Sequence, residues 1–227
     1  MTFTVVSWNI NGGMDLAGII ACLKEVNADI IGLQEVLQEE DGSNNIAEQI
    51  VKTLDYSWAY ATTKTLDPSL SFLLKEHKIT RHMEWGNAIL SKFPITGREV
   101  YILSEHRSRT ALAANIRLND KKLTVISTHL AHREHDDAIR DIQIDTLIKA
   151  TQEEYTIVAG DFNALPTSAA IRKMRRKFLD VTENSSATSG LRKIDYIFTS
   201  KEIKCIESGV IHSDASDHLP AYAVLNI

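Results

Sequence analysis

Three stretches share one design: "TVVSWNING", "LTVISTHLA" and "TIVAGDFNA" each begin as an apolar run and end in a polar, hydrogen-bond-rich tip. Short runs rich in Val, Ile and Thr between turn residues read as buried strands. The tips constrain the fold more than the runs do. A carboxylate or carboxamide beside buried apolar residues is costly to leave without a partner. If the strands are neighbours, their tips meet at one edge, and strand ends are where open α/β sheets place their sites.

Each tip taken alone has a plain reading. Asp161 and Asn163 in "VAGDFNALP" are ordinary turn residues whose side chains can bond their own backbone. The number of such tips argues against that reading for all of them. Asn9, Glu35 in "LQEV", His129 in "STHL", Asp161, Asn163, Asp195 in "KIDYIF", and Asp217 with His218 in "SDHLP" all punctuate apolar strands.

Between the tips the periodicity alternates. "FTVVSW" is strand-like, then Leu16, Ile19, Ile20, Leu23 and Val26 recur at helical spacing, and "ADIIGLQEV" follows as a second buried strand. A strand-helix-strand unit implies helices layered over a sheet. Ile46, Ile50, Val51 and Leu54 share a face of a second helix. Residues 62–85 are polar and read as a loop excursion, with a short apolar piece at 70–74. "NAILS", "TGREVYIL", "TALAANIRL" and "KLTVISTHL" then read as an antiparallel meander. Helices over 136–150 and 168–178 alternate with "YTIVAGDFN", "IDYIFTS" and "AYAVLNI". No compositional break divides the 227 residues, so the expectation is a single domain over 1–227.

The net charge of −5 repels polyanions, so a grip on a nucleic-acid backbone would need a local patch. "IRKMRRKF" is one candidate, but Ile171, Met174 and Phe178 mark a buried helix face and leave its basic residues as the solvated side. Cys22 and Cys205 are expected as small buried hydrophobes. The start of the chain has no secretory pattern and no window is apolar enough to span a membrane, so the expected location is cytoplasmic.

The polar inventory suits a hard divalent cation. Mg²⁺ takes oxygen ligands, keeps waters, and is held by one or two carboxylates plus substrate phosphate. Glu35 and Asn9 fit that role, and the Cys and multi-His spacing of a structural zinc site is absent.

The ordered set WN-x-N, LQE, GNAILSKFPI, STHL, GDFN, IDYIF and SDHLP resembles the endonuclease/exonuclease/phosphatase superfamily of DNase I-like phosphohydrolases, from Trp8 to Pro220. The resemblance implies an α/β (α+β) fold: a four-layer α/β/β/α sandwich of two mostly antiparallel sheets with helices outside. It also implies Mg²⁺ or Mn²⁺ dependence. Carried over to this chain, it makes Glu35 the principal metal ligand, assisted by Asn9, with Asp217 holding water or a second metal. Asp161 and Asn163 orient the attacking water and contact the phosphate, His218 paired with Asp195 acts as general base, and His129 binds phosphate oxygen or protonates the leaving group. Asn87, Arg109 and His132 are candidate substrate contacts, each with a competing reading as backbone constraint, surface charge or polar loop. Arg107 shares the reading of Arg109, and Trp58 and Trp85 are expected in the core or rim.

Departures from better-known branches narrow the substrate. His129 stands where abasic-site repair members carry Tyr, and the basic recognition motifs of inositol-phosphate phosphatases are missing. What remains is a phosphoester hydrolase acting on a small molecule or a nucleic-acid end. A catalytically silent binding module is the alternative, from which at least one of Glu35, Asp161, Asp217 or His218 should have been lost. All are present.

Overall fold

A computed structural model of the protein describes residues 1–104, 108–133, 135–151 and 154–227; Arg107 lies outside them. Two six-stranded sheets make up its centre. The first runs β11 (Lys204–Val210), β12 (Ala221–Asn226), β1 (Thr2–Asn9), β2 (Ile30–Glu39), β4 (Met83–Ser91) and β3 (Ser57–Leu66). The second runs β5 (Ile95–Ser104), β6 (Arg109–Leu118), β7 (Lys121–His129), β8 (Thr156–Asp161), β10 (Asp195–Thr199) and β9 (Leu179–Asp180). Each sheet has one parallel pair, β1 with β2 and β7 with β8; the other pairings are antiparallel. Parallel neighbours need a crossover, and α1 (Leu16–Val26) and α4 (Asp137–Ala150) supply it.

Strand alternation sorts the side chains into layers. Phe3, Val5, Ile30, Leu123, Val125, Ile157, Ala159 and Ile197 form one buried cluster between the sheets. Val6, Trp8, Ile31 and Leu33 point the other way and pack with α1 and α2 (Ile46–Leu54). Ile126, Val158, Tyr196 and Phe198 pack with α4 and α5 (Ala169–Lys177). The result is the expected α/β/β/α order.

The inter-sheet face also explains the polar tips. Along β1 the inward positions read Phe3, Val5, Ser7, Asn9; along β7 they read Leu123, Val125, Ser127, His129; along β8 they read Ile157, Ala159, Asp161. One face is therefore apolar at one end and polar at the other. A hydrogen-bonded band marks the change, with the Gln34 amide donating to Ser127 Oγ at 3.1 Å and the Ser127 hydroxyl donating to Leu33 O at 3.0 Å.

Several expectations need correction. Residues 62–85 are not a loop excursion: β3 runs to Leu66, α3 (Phe72–Glu76) follows, and β4 begins at Met83. The polar residues there hid a strand because one face of it stays wet. "NAILS" is not part of the meander either, since β4 pairs with β2 and β3 while β5, β6 and β7 build the other sheet. Cys205 is exposed on β11, an edge strand, and Cys22 is half-buried, so neither is a fully buried hydrophobe. The basic end of α5 is engaged within the chain, Arg175 with Asp180 and Glu183, and Lys173 with Asp141 and Asp145. Among the described residues no helix is long and apolar enough to cross a membrane.

Candidate active site

The polar edge closes around a cavity of about 330 Å³, lined by Glu35, Asp161, Asn163, His129 and His218 at one end and by Lys64, Trp85, Arg109 and His132 at the other. Sequence reading placed Asp195 and His218 where strands stop, and Arg109 leading into one. Asp195 instead begins β10 and His218 precedes β12, while Arg109 does begin β6. These strands run antiparallel to β8, β7 and β1, so their starts lie beside the neighbours' ends. Asp195 is directly opposite Asp161.

Glu35 arrives by a β-bulge. Opposite β4 the register slips between Leu33 and Val36, and Glu35 takes a left-handed backbone with φ 57°. The slip breaks the alternation that would turn Glu35 toward the helices, and its carboxylate reaches Asn9 instead. A second slip, between Thr62 and Lys64, lies across the same segment of β4 and sets Lys64 opposite Trp85. Gly86 sits between the two slips, where an added Cβ would fall 2.0 Å from Ala61 O. That close backbone approach explains the glycine of "GNAIL".

Asn9 is the hinge of the carboxylate cluster. Its amide donates to Glu35 Oε1 at 3.1 Å and to Asp161 Oδ2 at 3.2 Å. Asp161 serves both readings of "GDFN" at once: Oδ1 accepts from the Asn163 backbone at 2.9 Å as a turn residue does, and Oδ2 faces the site. Burial first, and the charge of Asp195 second, raise the Asp161 carboxyl from 3.8 to about 7. Burial also raises Glu35, with the charge of Asp217 adding and the Asn9 bond opposing.

His218 Nδ1 lies 2.8 Å from Asp195 Oδ2, and its Nε2 lies 3.9 Å from Asp161 Oδ2. Burial pulls its pKa down, but the Asp195 hydrogen bond and the carboxylate charges of Asp195, Asp161 and Asp217 outweigh that and hold it up at about 10. His218 is therefore charged at neutral pH. His129 is the opposite case, held well below 6.5 by burial and by the nearby Arg109 charge. Asn163 Nδ2 donates to Leu130 O at 3.2 Å and meets His129 Nε2 at 2.9 Å. His129 Nε2 is thus an acceptor and its ring proton sits on Nδ1, 3.8 Å from Glu35 Oε1.

The remaining candidates divide. Asp217 is exposed at the mouth, does not line the cavity, and acts on Glu35 and His218 through its charge. Asn87 is buried with its amide donating to Thr110 O at 3.0 Å, a tie between the sheets, and it does not line the cavity either. Arg109 and His132 do line it, joined at 3.2 Å. Lys64, exposed yet lining the cavity, was missed entirely because it stood in the segment read as a loop, and no local signal announces the bulge that sets it opposite Trp85.

The profile of the Endonuclease/Exonuclease/phosphatase family matches residues 6–218. The chain belongs to this family. It is thereby a phosphoester hydrolase in the broad sense that covers nucleases and phosphatases. Solved structures of similar fold include an endonuclease/exonuclease/phosphatase from Beutenbergia cavernae DSM 12333, with TM-score 0.85 and 19% identity over 100% of this chain and 72% of that one. The human Nocturnin catalytic domain with bound sulfate anion superposes with TM-score 0.81 and 19% identity over 99% of this chain and 93% of that one. D. rerio TDP2 complexed with single strand DNA product gives TM-score 0.76 and 16% identity over 100% and 99%. No curated protein matches in sequence. These likenesses establish a DNase I-like fold for this family member.

Proposed function

We propose that this family member is a divalent-metal-dependent hydrolase that cleaves a phosphoester by in-line attack of water. The observation that carries the reading is the pair of carboxylates, Glu35 and Asp161, drawn to one Asn9 amide at 3.1 and 3.2 Å inside the cavity. Both are raised above ordinary carboxyl values, the mark of buried negative charge short of compensation. Asp195 Oδ1 is buried with no hydrogen-bond partner among the described residues. An oxygen-rich, charge-crowded donor set of this kind fits Mg²⁺ or Mn²⁺.

Glu35 and Asn9 would hold the ion, with Asp161 beside them. Ligand atoms of Asp161, Asp195 and His218 also lie within 4.8 Å of one another. That grouping is the weaker choice, because His218 Nδ1 and Asp195 already satisfy each other at 2.8 Å. When bound, the ion supplies positive charge to the phosphoryl oxygens as the reaction proceeds.

The chain's own residues account for the proton and the orientation. Asp161, whose Oδ2 faces the site, is positioned to receive the proton of the attacking water. His218, kept charged by Asp195, offers its Nε2–H to an oxygen that gains charge, a donor fixed before the reaction begins. His129 is locked by Asn163 and shapes the phosphate seat. This assignment places the base at Asp161 and leaves His218 as the charged donor.

A screen of phosphomonoesters and phosphodiesters with Mg²⁺ and Mn²⁺ tests the reading, and nucleic-acid ends belong in it given the DNA product held by D. rerio TDP2. Hydrolysis should stop with chelator, and Glu35→Gln should abolish it with the fold intact. Unchanged Mg²⁺ and Mn²⁺ affinity in Glu35→Gln by calorimetry would reject Glu35 as the ligand. Inertness toward every ester with either metal would leave the silent binding module. The cytoplasm is the proposed location.

A further inference from the structure

The far end of the cavity holds charge that the proposed reaction does not use. Arg109 is 3% exposed, and its contacts are His132 Nδ1 at 3.2 Å and the face of Trp85, 4.9 Å from the ring centroid. Lys64 Nζ lies 4.6 Å from the same centroid. Among the described residues neither cation forms an ion pair with a carboxylate; Asp161, Glu35 and Asp136 act on the buried Arg109, and Glu35 on the exposed Lys64, only through their charge. Trp85 is 9% exposed, and its indole N–H is buried with no acceptor among the described residues.

Each observation points the same way. Nearly all buried N–H groups are satisfied, so the unpartnered indole N–H of a tryptophan that lines the cavity calls for an acceptor. A buried guanidinium is normally paired, since it carries five donors and no acceptor. Its bond to His132 Nδ1 makes that nitrogen the acceptor and leaves the imidazole with its other N–H as a further donor. The wall therefore offers donors and two positive charges and almost nothing that accepts. A buried guanidinium with donors to spare, beside a lysine, matches the several oxygens of a phosphoryl group better than a single carboxylate.

We propose that Arg109, Lys64, Trp85 and His132 form a second anion subsite, which takes a terminal phosphoryl group carried by the substrate in addition to the phosphoester being cleaved. This rests on the phosphoester-hydrolase reading and narrows it. The preferred substrates would be small esters bearing at least two phosphoryl groups, close enough together to share one cavity.

Two measurements separate this proposal from the reading beneath it. In metal-free protein titrated with inorganic phosphate, the Trp85 indole N–H resonance, identified by its loss in Trp85→Phe, should shift and saturate. The shift should be lost in Arg109→Gln and weakened in Lys64→Gln. In the second measurement, hydrolysis of thymidine 5′-(4-nitrophenyl phosphate) is compared with that of its 3′-phosphorylated form. Wild type should favour the 3′-phosphorylated ester by at least about tenfold in kcat/KM, the scale of one charged hydrogen bond, and the preference should shrink in Lys64→Gln and Trp85→Phe. A Trp85 resonance indifferent to phosphate overturns the subsite, and so does equal turnover of the two esters. A saturable shift with neither ester hydrolysed upholds the subsite and counts against the hydrolase reading instead.

Discussion

At the residue scale the site is a set of mutually shifted ionisations. Asp195 has one oxygen on His218 and the other buried without a partner among the described residues, so its charge acts to keep the imidazole protonated and oriented. Asp195→Asn should lower turnover by about two orders of magnitude or more, in line with the roughly 10² to 10³ lost with one preorganised donor to an oxygen that gains charge, while KM changes little. His218→Ala should be at least as severe, and the double variant little worse, because residues acting as a unit are not additive. A turnover per folded molecule near wild type in Asp195→Asn would reduce Asp195 to a turn residue before "YIFTS". Asp161 gives a stability prediction of opposite character. Its carboxyl rises from 3.8 to about 7 on folding, through burial first and the Asp195 charge second. The folded state thus binds the proton more tightly than the unfolded one. Its contribution is fullest below pH 3.8 and is lost as pH rises through about 7. Metal-free Asp161→Asn, which cannot ionise, should melt above wild type at pH 8, with the gap closing toward pH 4. A lower melting temperature than wild type at pH 8 would show that the ionised carboxylate stabilises the fold.

At the scale of elements, the bulge on β2 is where function bends local structure. A side chain held at φ 57° costs about 1–2 kcal/mol relative to glycine. Glu35→Gly should therefore stabilise the fold against urea by about 1 kcal/mol while hydrolysis is lost, and Glu35→Gln should keep the strain and lose hydrolysis as well. Equal unfolding midpoints for the two variants would remove the bulge as a store of strain. The same scale explains what the sequence hid. β1, β7 and β8 are legible because buried runs read as continuous apolar stretches. β3 is not, because Ser57, Trp58, Lys64 and Thr65 are exposed and break the pattern. The assignment of β4 to one sheet and β5 to the other is likewise silent in sequence, since adjacent strand-like runs look alike whether they pair or part.

At the scale of the whole molecule, a net charge of −5 surrounds one small cationic wall inside the cavity. On α5, Lys173 and Arg175 are paired within the chain, which leaves Arg172, Arg176 and Lys177 as its exposed basic residues. Duplex DNA should bind weakly at about 150 mM salt, where screening reaches roughly 8 Å, and small or single-ended esters should be turned over better. Sub-micromolar affinity for a duplex in an anisotropy titration at that salt would contradict this. By itself the sequence determined most of the strands and helices and the identity of the polar tips, because burial imposes a period on each element and the unburied exceptions stand out against it; the four-layer order came from the family resemblance. Only the tertiary structure decided how those exceptions act together. It set Asp195 against His218, took Glu35 out of alternation, and brought Lys64 from β3 and Arg109 from β6 to one tryptophan. Those outcomes depend on register slips and on the stacking of two sheets, contacts between residues far apart in the chain that no local pattern encodes.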